Sequence, residues 1–149
     1  MKRTDTASII ENVTAYCEQH HIRLTKPRLC VLETIASNHG QPIGAYDILE
    51  KLRKELDNPK PPTAYRALEF LQKHGFIHRV ESLNAYVICH ADHRHSGAQF
   101  MICDSCGKVT ETHLCSIPES LTQRTEAEKF HVTRWNAELH GMCHDCHEY

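Results

Sequence analysis

The 149-residue chain has no stretch approaching the ~20 consecutive apolar residues that a membrane-spanning helix needs. Its first residues, Met1-Lys2-Arg3, run into Thr4-Asp5-Thr6 without an apolar segment behind the charges, so no secretory signal is expected. Both absences point to a cytoplasmic chain with no membrane partner. They also bear on the eight cysteines, because thiols in a reducing compartment serve as metal ligands or small buried hydrophobes rather than as disulfides. A third shortage lies in residues 98–149, where large apolar side chains are few. Units below about 70–80 residues usually need a staple, either a metal or a second subunit.

What the chain has in plenty is paired cysteine and histidine. Cys103-Asp104-Ser105-Cys106 and Cys143-His144-Asp145-Cys146 are two C-x2-C corners bracketing one C-terminal segment. Brought together they form a four-thiolate cage, which suits zinc because its d¹⁰ shell accepts four soft ligands without geometric penalty. Gly107 and Gly141 flank the doublets and are expected to ease the turns around the sulfurs. Such a cage leaves no open coordination position, so it argues against zinc catalysis. Neither doublet follows a proline, which removes the zinc-deaminase pattern, and neither begins a predicted helix, as a thiol-disulfide oxidoreductase would require. Cys17 and Cys30 are expected to fill core space, and Cys115 has no evident role. Many of the thirteen histidines fall between His74 and His95, close to the first doublet.

Apolar periodicity organises the rest. Ile9, Ile10, Val13 and Cys17 recur at helical steps, predicting a first helix over 8–20. Thr25 is the expected N-cap of a second helix, with Pro27 in its first turn and Leu29, Val31, Leu32, Ile35 and Ala36 inward. That helix is expected to stop at His39-Gly40-Gln41-Pro42. A third runs from about Ala45 to Leu56, with Ile48, Leu49, Leu52 and Leu56 inward. After the stiff break Asn58-Pro59-Lys60-Pro61-Pro62, a fourth runs from Thr63 to His74, burying Ala64, Ala67, Leu68 and Leu71 and closing at Gly75. Two β segments, 76–81 and 85–89, then form a hairpin. This order is that of a winged helix-turn-helix, in which the helix before the hairpin enters the major groove of DNA.

Residues 91–97 are polar and mark a linker between a 1–90 domain and a 98–149 domain. Beyond it come strands over 99–102 and 108–112, a helix opening at Ser116-Ile117-Pro118-Glu119 and running to about Lys129, and a strand over 130–139. Residues 1–90 carry 12 Lys/Arg and 10 Asp/Glu, whereas residues 91–149 carry 5 and 9. A mildly basic first half fits a nucleic-acid reader.

Several of these residues resemble one protein family. Pro61-Pro62-Thr63-Ala64-Tyr65-Arg66-Ala67-Leu68 looks like the recognition-helix signature of ferric uptake regulator family repressors. Leu24-Thr25-Lys26-Pro27-Arg28 resembles their Thr-x-x-Arg element, and the cysteine doublets resemble their structural zinc site. Tyr86-Val87-Ile88-Cys89-His90 is most similar to the zinc uptake regulator branch. The resemblance implies an α+β chain with an N-terminal winged helix and a small C-terminal α/β dimerisation domain. It implies a homodimeric zinc-responsive repressor of operator DNA, with two zinc ions per chain. The structural zinc then falls to Cys103, Cys106, Cys143 and Cys146. The sensing zinc falls to His78, Cys89, Glu111 and the linker histidine His95, with His93 as its substitute. DNA contacts fall to Tyr46, Tyr65 and Arg66, with Thr63 and Arg28 beside them. An iron- or peroxide-responsive regulator of the same fold is the alternative.

Overall fold

The computed structural model describes residues 5–38, 41–89, 97–112 and 116–147. The expected helix stop at His39-Gly40, the candidate ligands His93 and His95, and Cys115 lie outside the described residues. The chain divides into two compact units, Met1–His90 and Ala91–Tyr149.

The first unit is built from four helices and a small sheet: α1 (Thr6–Gln19), α2 (Lys26–Ala36), β1 (Ile43–Gly44), α3 (Ala45–Glu55), α4 (Pro61–Lys73), β2 (Ile77–Val80) and β3 (Ala85–Ile88). Helix α2 packs against the other three. The stripes read from periodicity are the buried ones. Ile9, Val13 and Cys17 of α1, Val31, Leu32, Ile35 and Ala36 of α2, Ile48, Leu49 and Leu52 of α3, and Ala64, Ala67, Leu68 and Leu71 of α4 form one cluster. Leu29 and Leu56 are only half-buried. Burying each large aliphatic side chain is worth about 1.5–3 kcal/mol, so this unit carries its own core.

Helix α4 starts two residues before the expected Thr63. Pro61 and Pro62 occupy its first turn, where a missing N–H costs nothing, so the prolines begin the helix instead of interrupting it. Thr25 does hold the N-cap position of α2, but its side chain makes no capping hydrogen bond. At the far end of α4, Gly75 has φ +72, and the Phe76 N–H reaches back 2.9 Å to the Leu71 carbonyl. This left-handed closure ends the helix and aims the chain into β2.

Strands β2 and β3 pair antiparallel, with Ile77 opposite Ile88 and His78 opposite Val87. The Cys89 N–H extends the ladder to the Phe76 carbonyl at 3.0 Å. A short 3₁₀ turn over 81–83 and the left-handed Asn84 (φ +45) connect them. Arg79 fastens this tip through Asn84 Oδ1 (2.8 Å) and Glu81 (3.3 Å). β1, not expected from its two residues, pairs with β3 and completes a β1-β3-β2 sheet.

The second unit is the sheet β5-β4-β6, from β4 (Gly97–Cys103), β5 (Val109–Thr112) and β6 (Trp135–Gly141), with α5 (Glu119–Ala127) as the crossover. β4 is central, antiparallel to β5 and parallel to β6. Gly97, expected in the linker, is the first residue of β4. The Trp135 indole lies over it, so close that a Cβ there would fall 1.9 Å from a ring carbon.

The last strand begins at Trp135 rather than at Phe130. Residues 128–130 close α5 instead: Lys129 has φ +54, and the Phe130 N–H bonds the Thr125 carbonyl at 2.8 Å. α5 itself starts at Glu119, with Pro118 at its N-cap, later than the expected Ser116. Phe130, Leu121, Met101, Leu139 and Met142 are all exposed, and α5 buries no residue.

Candidate metal centre

The parallel pairing of β4 with β6 creates the cysteine site. Two parallel strands end on the same side of a sheet, so the turns that follow them face each other. Cys103, the last residue of β4, stands opposite Gly141, the last of β6, and the Asp104 N–H continues the ladder to the Gly141 carbonyl at 2.8 Å. Each doublet then makes the same turn. Gly107 N–H bonds the Cys103 carbonyl (2.9 Å), and Cys146 and His147 N–H groups bond the Cys143 carbonyl (3.0 and 2.9 Å). Gly107 has φ +76 and needs to be glycine. Gly141 does not: it ends a strand without a positive φ, and a Cβ there would meet open space, contrary to its expected role as a turn residue.

The sulfurs of Cys103, Cys106, Cys143 and Cys146 all lie within 4.8 Å of one another. Cys106 and Cys143 Sγ are 3.7 Å apart. The Cys103 sulfur accepts backbone N–H groups from Cys106 (3.5 Å) and Cys143 (3.3 Å). Those donors, the Cys106 one foremost, pull the Cys103 thiol down to about 6, so it is a thiolate at neutral pH. Cys146 goes the other way, to about 12. The Ser105 hydroxyl favours its thiolate, but the Cys143, Cys106 and Cys103 sulfurs and burial together outweigh it. Four sulfurs this close cannot all carry charge unless a cation sits among them. The donor set fits a tetrahedral zinc, and the four cysteines expected to hold it are the four brought together.

One further contact joins the end of β6 to the first turn and was not legible in the sequence. His140 Nδ1 lies 3.1 Å from Asp104 Oδ1, and its Nε2 is 3.6 Å from Glu138. Only the parallel register, which sets the end of β6 beside the first doublet, makes it visible.

The other expected ligands fall as follows. His78 and Cys89 belong to the hairpin. With His78 opposite Val87 and Cys89 opposite Phe76, the two-residue alternation of strands puts both on one face, as diagonal neighbours. A ring nitrogen of His78 lies within 4.8 Å of the Cys89 sulfur. Glu111 stands in β5 opposite Phe100 and is half-buried in the second unit.

On the helices, Tyr46 lies in the first turn of α3, 72% exposed, and Tyr65 in α4 is 53% exposed. Arg66 is exposed beside Tyr65, and Thr63 is half-buried at the start of α4. Arg28 is half-buried, and its guanidinium lies 3.8 Å over the Phe70 ring.

A winged helix followed by a sheet unit with a four-sulfur cage defines a class, the winged-helix proteins with a metal-stapled second domain. Within it, the chain belongs to the ferric uptake regulator family, whose model matches residues 19–140. It is 40% identical to the zinc uptake regulation protein of Escherichia coli K12, over 99% of this chain and 86% of that one. A solved structure of a zinc uptake regulator complexed with zinc and DNA superposes with a TM-score of 0.87 at 38% identity, covering 96% of this chain and 95% of the other. Similarity to the peroxide operon regulator of Bacillus subtilis is lower, at 24% identity over 84% of each.

Proposed function

We propose that this protein is a zinc-responsive transcriptional repressor in the cytoplasm, a homodimer that binds palindromic operator DNA when zinc-loaded and represses genes of zinc uptake. It is a regulator and not an enzyme, as are its family and relatives. The observation that carries the zinc assignment is the pair His78 and Cys89, an imidazole and a thiol side by side on the hairpin that follows α4. A thiolate among the donors shifts selectivity toward zinc and away from Mn²⁺ and Fe²⁺.

Each chain holds two zinc ions. Cys103, Cys106, Cys143 and Cys146 take the first, which ties the end of β4 to the end of β6. His78, Cys89, Glu111 and the linker histidine His95, or His93 in its place, take the second. These ligands come from both sides of the linker, so their shared ion would set where the DNA-reading helices stand. Linkage of this kind typically changes DNA affinity by about 1–3 kcal/mol per coupled site, and DNA must tighten zinc binding by the same amount.

Tyr65 and Arg66 on the exposed face of α4, with Thr63 at its start, read the operator, and Tyr46 supports them from α3. An exposed arginine at the start of such a helix suits guanine or phosphate. The exposed apolar side chains of the second unit, Phe130, Leu121, Met101 and Leu139, suit a surface shared with a second copy.

Titration of operator affinity against free Zn²⁺, Fe²⁺ and Mn²⁺ tests the proposal. Zn²⁺ is expected to activate at the lowest free concentration. Activation by Fe²⁺ or Mn²⁺ below Zn²⁺ would replace it with the iron- or peroxide-type alternative.

A further inference from the structure

Arg28 opens α2, and the family resemblance places it among the DNA contacts. Its surroundings support another role. One face of the guanidinium lies on the Phe70 ring at 3.8 Å, and Nη1 donates to the Arg23 carbonyl at 2.6 Å in the connector between α1 and α2. A planar cation stacked on a ring and bonded along one edge is held in a single orientation. Phe70 lies on α4, four residues beyond Arg66, so it shares the helix face that carries Arg66. Ring contacts continue at the C-terminal end of α4. His74 lies 4.7 Å from Phe70 and is stacked 6.1 Å from Phe76, and the Phe76 carbonyl accepts the Cys89 N–H. The recognition helix is thus fastened to α2 by Arg28 and to the hairpin by His74 and Phe76.

We infer that Arg28 is a positioning residue: it fixes the orientation of α4 through Phe70, and with it the aim of Tyr65 and Arg66, without itself contacting DNA. This rests on the proposed reading of operator DNA by α4. It makes a demand that a phosphate contact does not. Losing the Phe70 ring should be as harmful as losing the Arg28 charge, since either breaks the same clamp. A side chain touching phosphate would feel only the second loss.

The test compares Arg28→Gln, Arg28→Lys, Phe70→Leu and Phe70→Tyr in the zinc-loaded, full-length protein. The probes are a duplex that the wild-type protein selects from a randomised pool and a scrambled duplex of equal composition. Arg28→Gln and Phe70→Leu should each lower affinity for the selected duplex by roughly tenfold, about 1.4 kcal/mol. The double variant should lose little more, because the two changes act on one contact. Phe70→Tyr, which keeps a ring, should behave as wild type, and Arg28→Lys, which keeps the charge but not the plane, should fail to rescue. Affinity for the scrambled duplex should stay within about twofold for every variant, because non-specific binding rests on phosphate charge. A purely structural role would lower binding to both duplexes together, and that outcome overturns the proposal. So does a drop of about 0.9 in the salt slope for Arg28→Gln alone, with Phe70→Leu unaffected, since that is the loss of one phosphate contact. Failure of the wild-type protein to select any duplex would instead overturn the reading of this protein as a DNA-binding repressor.

Discussion

The backbone N–H of Cys143 points at the sulfur of Cys103 across 3.3 Å, although the two residues are 40 positions apart. The contact exists because β4 and β6 run parallel and end together. With the Cys106 N–H, which contributes more, it lowers the pKa of the Cys103 thiol, and it links the two halves of the second unit through a single sulfur. With few buried apolar groups among the described residues there, the cage is the staple we propose for that unit.

Cys143→Ser should therefore unfold the second unit while sparing the first. The expected result is loss of one zinc per chain and a lower-temperature unfolding step, with the helical signal of residues 5–89 retained. A variant that keeps both its zinc content and its melting profile would show that the sheet is stable without the cage.

Proton release should accompany zinc loading of the cage. In the metal-free chain Cys103, lowered to about 6, is already ionised at pH 7.5, whereas Cys146, raised to about 12, holds its proton. The lowered group stabilises the fold fully above its unfolded value of 9.0, and this contribution fades as pH falls through about 6. The raised group works in the opposite sense. Its protonated form favours folding below 9.0, and that contribution fades as pH rises through about 12. Zinc must displace the Cys146 proton, so titration with zinc in weak buffer at pH 7.5 should acidify the solution by at least one proton per cage. No acidification would contradict the assignment.

The Arg66→Ala variant should lose about 1–3 kcal/mol of operator affinity and discriminate less between operator variants at one base position. Competition binding with single-base operator substitutions measures this. Uniform weakening across all sequences would make Arg66 a phosphate contact instead.

The Gly97→Ala variant should displace the indole of Trp135, the chain's one tryptophan, and shift its emission to longer wavelength, because the added methyl falls inside the ring. An unchanged spectrum would mean that the start of β4 lies elsewhere.

How much of this could be read from sequence differs by unit. In the first, the buried stripes of all four helices follow from apolar spacing, since each helix buries one face against its neighbours. What periodicity missed were boundaries set by local backbone chemistry: the prolines that open α4 here, and, in the second unit, the turn at Lys129 that claims Phe130 for α5. In the second, the cysteines declared themselves by spacing, but His140 beside Asp104 did not. That contact depends on the parallel register, and register is a long-range property with no local pattern. Arg28 is a related case. Its stacking partner Phe70 sits on another helix, beyond the reach of any spacing rule.

In the proposed mechanism the set around Cys89 is the switch and the four-cysteine cage the frame. Zinc content of purified wild-type and Cys89→Ser protein, measured alongside zinc-dependent operator binding, tests it most directly. Two zinc ions per chain should fall to one in the variant, with operator binding lost and the cage zinc retained. A single zinc in the wild-type protein, together with full operator binding, would contradict it.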